Sequence, residues 1–173
     1  MPSSYQAPMR GDKARSTTVS QSVASNTSSE TATVQKIIDQ KGSNVFSIRP
    51  NETLGRAVEI LKEKGIGALM VTDQNGTLQG ILSERDIVRK LAETPGKTLP
   101  HLVEEVMTKS GEVCAPDEAL VSVLRRMTKG RFRHMPIVDG GTLKGMVTIG
   151  DVVNNRLTEL EHEALQLKQM IVG

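Results

Sequence analysis

Apolar positions fall into two periodicities that alternate along the chain. Leu54, Ala57, Val58 and Leu61 recur at i, i+3, i+4 and i+7, one face of a helix, and Leu120, Val123, Leu124 and Met127 repeat that spacing. Short continuous apolar runs follow each stretch: Ala68–Thr72 then Leu78–Leu82, and Met135–Val138 then Leu143–Val147. These read as strand pairs, joined by Asn75-Gly76 in one case and Gly140-Gly141 in the other, a turn chemistry that favours a type I′ hairpin. Shorter strands at Val45–Ile48 and Val113–Cys114 run into Pro50 and Pro116, after which Asn51 and Asp117 are candidate helix caps. The first helix of each unit ends near Gly65 or Gly130, and a second helix starts at Ser83 or Thr148. The predicted order is β-α-β-β-α, twice, an α/β (α+β) chain.

The resemblance between the halves is residue by residue. Shifted by 66, Pro50, Glu52, Leu54 and Asp73 fall on Pro116, Glu118, Leu120 and Asp139. Shifted by 65 beyond a one-residue change in the turn, Gly76, Gly80, Asp86 and Val88 fall on Gly141, Gly145, Asp151 and Val153. A fixed internal period marks a duplicated supersecondary unit. We divide the chain into a tail (1–33), a first repeat (34–98), a second repeat (99–158) and a C-terminal helical extension (159–173), with a Pro- and Gly-bearing link at Glu93–Pro100.

Composition narrows the function classes. Lys and Arg number 22 against 20 Asp and Glu, so no basic excess speaks for nucleic acid. With Tyr5 in the tail, Phe46 and Phe132 are the only aromatics left for the body, too few for base-stacking platforms. The single cysteine, Cys114, excludes an internal disulfide and a Cys-rich zinc site, and His101, His134 and His162 have no metal-ligand spacing. No apolar run approaches the ~18 residues of a membrane span. Residues 1–33 hold 13 Ser and Thr and almost no large aliphatic residues, which predicts a disordered tail. The expected location is cytoplasmic; a Ser-rich, acid-poor, mildly basic tail also suits a transit peptide, which would place the protein in an organelle matrix.

Two segments carry candidate chemistry. Gly80-Ile81-Leu82-Ser83-Glu84-Arg85-Asp86 and Gly145-Met146-Val147-Thr148-Ile149-Gly150-Asp151 share one pattern: Gly, two apolar residues, Ser or Thr, and Asp three residues later. Ser/Thr followed by an acid at the third position is a helix capping box. The same geometry aims free amides and a carboxylate at any ligand placed at the helix start. Arg131, Arg133 and His134 precede the second strand pair and suit phosphate, or else form a solvated basic edge. Gly65-Ile66-Gly67 follows a helix and precedes a strand, the wrong context for a dinucleotide loop. Cys114 reads as a small buried apolar residue.

With Arg133-His134-Met135-Pro136-Ile137-Val138-Asp139 ahead of the second motif, residues Val34 to Thr158 resemble a tandem CBS-domain pair, or Bateman module. The resemblance implies two repeats about a pseudo-two-fold axis and a cleft for an adenosine-containing ligand: AMP, ADP, ATP, NAD(H) or S-adenosylmethionine. It implies a homodimer; no catalytic group and no metal are expected, since the chain offers no paired base and nucleophile and no metal cluster, and the expected output is regulation of an unknown partner protein in trans. The ligand positions it implies are Ser47, Gly67, Ala68, Ser83, Arg85, Asp86, Val113, Arg133, His134, Met135, Thr148 and Asp151. We expect one nucleotide with its ribose on Asp151, its phosphate near Thr148, and further contact from Arg133, His134 and Arg85. Gly67-Ala68 stands where the second repeat has Arg133-His134, a departure from the family pattern that weakens a phosphate site there. A structural dimerisation scaffold with a vestigial cleft is the alternative from another functional class. Finally, Val153, Leu157, Leu160, Ala164, Leu167 and Ile171 are spaced as an a/d seam, for a partner helix or for packing within the chain.

Overall fold

The computed structural model describes residues 31–109 and 111–172; the predicted disorder and targeting role of residues 1–30 lie outside them. Elements run α1 (Val34–Lys41), β1 (Ser47–Ile48), α2 (Leu54–Lys64), β2 (Ala68–Thr72), β3 (Leu78–Ser83), α3 (Glu84–Glu93), α4 (Val103–Val106), α5 (Leu120–Gly130), β4 (His134–Asp139), β5 (Thr142–Thr148) and α6 (Ile149–Val172). β1 pairs parallel to β2 across the α2 crossover, and β2 pairs antiparallel to β3. The second repeat copies this arrangement with β4 antiparallel to β5. In place of the strand predicted at Val113–Cys114, only Cys114 bridges Ile137, in parallel. Val113 turns outward, and its carbonyl accepts from the Arg126 guanidinium at 2.8 Å.

Helix boundaries differ from expectation by a few residues. Asn51 and Asp117 do not cap; the N-caps are Thr53, whose Oγ1 accepts from the Arg56 amide at 3.2 Å, and Ala119. Glu52 is spent in a turn whose amide donates to the Arg49 carbonyl, so the helix starts later. Gly65 closes α2 in the left-handed region, as its lack of Cβ permits. The corresponding position after α5 is Arg131, at φ 56° the only non-glycine residue with positive φ among those described.

The hairpins explain the one-residue change of period. Gly140 and Gly141 both have positive φ, as a type I′ turn requires, and Asp139 pairs directly with Thr142. At Asn75-Gly76 only Gly76 does, so the first turn is not type I′. It is a longer loop in which Asp73 Oδ1 accepts from the amides of Asn75 and Thr77, both at 2.9 Å.

Packing exchanges segments between the repeats. Val103 of α4 is buried in the first repeat's core with Leu54, Leu69, Val71 and Leu82. Val34 and Ile37 of α1 are buried instead in the second repeat's core, with Val123, Met127, Met135 and Val147. The same backbone bonds make both exchanges: Leu120 N donates to Ala32 O as Leu54 N donates to His101 O, and Val34 N donates to Glu118 O as Val103 N donates to Glu52 O. Ala32 and Thr33, placed in the tail by composition, are therefore ordered, because the free amides at the start of α5 need acceptors. The Glu93–Pro100 link serves the first repeat likewise, with Leu99 O accepting from Gly55 N. After α4 the chain pairs Thr108 with Ile81, bringing the Thr108 carbonyl so close that a Cβ on Gly80 would lie 2.5 Å away. That approach is why the first motif opens with glycine.

Candidate functional site

Both Ser/Thr-x-x-Asp motifs form reciprocal helix starts. At α3, Ser83 Oγ accepts from the Asp86 amide at 3.3 Å, while Asp86 Oδ2 accepts from Ser83 N at 2.9 Å and Ser83 Oγ at 2.7 Å. At α6, Thr148 Oγ1 accepts from Asp151 N at 3.1 Å and Asp151 Oδ2 accepts from Thr148 N at 2.8 Å. Among the described residues each carboxylate's second oxygen accepts no hydrogen bond, which leaves it for a further donor.

Among the clefts where the repeats face each other, two hold the expected site residues, and each is built from both repeats. A cavity of about 330 Å³ is lined by Lys41, Phe46, Gly67, Ala68, His134 and Thr148, among others. A second, of about 470 Å³, is lined by Ser83, Arg85, Asp86, Arg131, Arg133 and His134, together with Arg89, Glu84 and Glu112. The start of β2 thus faces the end of β5, and the start of β4 faces the start of α3. His134 lines both clefts.

This division spreads the expected site residues over two clefts. Thr148 lies in the first cleft, and Asp151 beside it, whereas Arg133 and Arg85 lie in the second with Asp86. Arg85 and Asp86 of the first motif line one cleft with Arg133 and His134 of the second repeat. Met135 is fully buried in the second core and cannot touch a ligand through its side chain. Ser47 and Val113 are exposed and line neither cleft, while their neighbours Phe46 and Glu112 do.

The electrostatics of the clefts differ. Arg85 Nη1 donates to the Arg131 carbonyl at 3.1 Å, tying α3 across to the second repeat. Arg85, Arg89, Arg131 and Arg133 form no salt bridge among the described residues, and Glu112 is already held by Arg126 at 2.6 Å. In the first cleft Lys41 Nζ sits 2.8 Å from Asp151 Oδ2 and donates to the Met146 carbonyl at 3.3 Å. His134, half-buried between them, is held below the ordinary imidazole pKa chiefly by desolvation; Lys41 and Arg133 add to this, and Glu84 and Asp151 oppose it. Cys114 is buried and its thiol is pushed up to about 12 by desolvation, so it supplies no thiolate. Among the described residues no cluster of His, Cys, Asp or Glu suits a metal ion, and no helix is long and apolar enough to cross a membrane.

Sequence reasoning missed several lining residues, Arg89, Lys41 and Phe46 among them. Arg89 had a usable signal, lying four residues after Arg85 on the same helix face. Phe46 adjoins the expected position Ser47, while Lys41 had no signal, because it meets Asp151 across 110 residues of chain.

The CBS domain model matches residues 31–93 and 103–157, which is most of the chain and spans both repeats. The chain belongs to the CBS-domain family. Among curated relatives it is 35% identical over 128 residues to an uncharacterized 33.4 kDa protein in the ribosomal RNA operon of Thermofilum pendens, 70% of this chain but 41% of that one. It is 31% identical over 125 residues to the CBS domain-containing protein YhcV of Bacillus subtilis, 72% of this chain and 88% of that one. It is also 28% identical over 152 residues to CBSX3, mitochondrial, of Arabidopsis thaliana, covering 83% and 74%. Among solved structures, a CBS-domain containing protein of Agrobacterium tumefaciens superposes with TM-score 0.71 at 36% identity, covering 73% of this chain and 94% of that one. CBSX2 in complex with AMP gives 0.64 at 28%, covering 73% and 97%. The CBS domain pair of protein MJ0100, in complex with 5′-methylthioadenosine and S-adenosyl-L-methionine, gives 0.66 at 26%, covering 74% and 98%.

Proposed function

We propose that this CBS pair is a regulatory module that binds an adenosine-containing ligand such as AMP, ATP or NAD(H) between its repeats. One observation carries the reading: Asp86 of the first repeat and Arg131, Arg133 and His134 of the second line a single cleft. The free oxygen of Asp86 suits a ribose diol, and the arginines suit phosphate, as charge-assisted partners. The adenosyl ligands of CBSX2 and of the MJ0100 pair support the class of ligand. A molecule held from both repeats favours one relative placement of them, and differential contact of that kind is what shifts a conformational equilibrium. The output is read by a partner protein in trans. Val88, Leu91, Val153, Leu157 and Leu160 stay exposed on α3 and α6, which supports a homodimer that covers them.

Mass spectrometry of small molecules retained by the purified chain identifies the ligand. Calorimetric titration of AMP into Asp86→Asn then tests the site. Asn keeps an acceptor for Ser83 but removes the charge, so affinity falls about tenfold, or about 1.4 kcal/mol. Unchanged affinity would assign Asp86 to helix capping alone. A flat thermal-shift response to every adenosyl compound would favour the scaffold reading.

A further inference from the structure

The duplicated sequence lets the two clefts be compared position by position. Where the second cleft has Arg131, Arg133 and His134, the equivalent residues of the first repeat are Gly65, Gly67 and Ala68. Where the second has Glu112, the first has Phe46. Arg85 and Arg89, which α3 contributes to the second cleft, correspond on α6 to Gly150 and Asn154. Five basic positions of one cleft are thus neutral in the other. The one cation specific to the first cleft, Lys41, is neutralised by Asp151 at 2.8 Å.

Arg131 adds an independent mark of selection for charge. It occupies the left-handed position, φ 56°, that glycine fills after α2. A non-glycine residue there is strained, and such strain collects at binding sites. Arg131 lines the second cleft.

We propose that the two clefts select different chemical forms of adenosine: the second a phosphorylated nucleotide, the first an uncharged nucleoside such as adenosine or its 5′-thioether. This rests on the adenosine reading above. In the first cleft Phe46, Ala68 and Met70 offer an apolar seat for a base, and the ribose competes with Lys41 for Asp151. A phosphate chain entering there meets no cation that is not already paired. In the second cleft the same chain meets four arginines that form no salt bridge among the described residues.

Calorimetry on the full chain tests the division, with ATP and 5′-methylthioadenosine titrated separately and then each into protein saturated with the other. The expected result is one equivalent of each, bound without competition. Arg131→Gly installs the first repeat's residue and relieves the positive φ, so it weakens ATP at least tenfold and leaves 5′-methylthioadenosine within twofold of wild type. Asp151→Asn, which keeps an acceptor for the Thr148 amide, does the reverse. Direct competition for one site, or equal losses of both ligands in both variants, would overturn the division while leaving adenosine binding in place. No heat from either ligand at millimolar concentration, with an unchanged melting temperature, would overturn the adenosine reading and this inference together.

Discussion

Ile37→Ala tests whether α1 belongs to the second repeat's core. Ile37 is 2% exposed and lies among the buried residues that include Val123, Met127 and Met135. The substitution removes three side-chain carbons, about 2.4 kcal/mol at ~0.8 kcal/mol each, before any cavity is counted. With a cavity left between α1 and β5 the loss falls in the ~2–5 kcal/mol range of such core truncations. At about 2.4 kcal/mol the opening equilibrium rises roughly fiftyfold. Hydrogen exchange read by mass spectrometry should then show amides of α5, β4 and β5 exchanging at least that much faster, since exchange from structured segments tracks their opening free energy. The matching variant Val103→Ala, in α4, should act first on α2, β2 and β3, whose core contains Val103. Exchange in α5, β4 and β5 that stays within threefold of wild type in Ile37→Ala would refute the exchange of segments.

Replacing Leu160 and Leu167 together with Glu should leave the monomer's melting temperature unchanged, because these side chains are 45% and 60% exposed in the single chain. Light scattering should show the variant moving toward the 18.8 kDa monomer mass, and a wild-type chain that is itself monomeric would refute the dimer. Gly80→Ala places a Cβ 2.5 Å from the Thr108 carbonyl and should cost about 1–3 kcal/mol, read as a melting temperature lower by about 2–4 °C per kcal/mol. His134 titrates below its unfolded value of 6.5, so the unfolded chain binds the proton first. Its contribution to stability is therefore present above that pH and lost as pH falls toward the depressed folded value. Urea unfolding at pH 7.5 and 5 should show a smaller loss in His134→Gln than in wild type, and an equal loss would show that His134 is not the group responsible.

Much of the fold and part of the site are legible in the chain itself. The helix faces, the strand pairs and the two Ser/Thr-x-x-Asp helix starts rest on interactions within about five residues, and sequence patterns record those directly. The duplicated order and the family follow from them. Where local signals compete, they mislead by a turn: Asn51 is a good cap by type, yet Thr53 caps because the chain at Glu52 is drawn into a turn. Asn75-Gly76 resembles a type I′ pair, yet Asp73 accepts two backbone amides and holds a longer loop.

What lies between the repeats is a different matter. The bond from Arg85 to the Arg131 carbonyl spans 46 residues, and Lys41 meets Asp151 across 110. Neither leaves a periodicity or a motif, because each depends on how two separately patterned cores are stacked. The a/d spacing of α6 likewise predicts a seam but not its partner, and only the packed chain leaves Leu160, Leu167 and Ile171 uncovered. Local chemistry thus determined the repeats, their helix starts and their cores. The tertiary structure decided which motif faces which basic segment, since that pairing is made by burying α1 and α4 in each other's repeat, a choice driven by apolar surface that both repeats present alike.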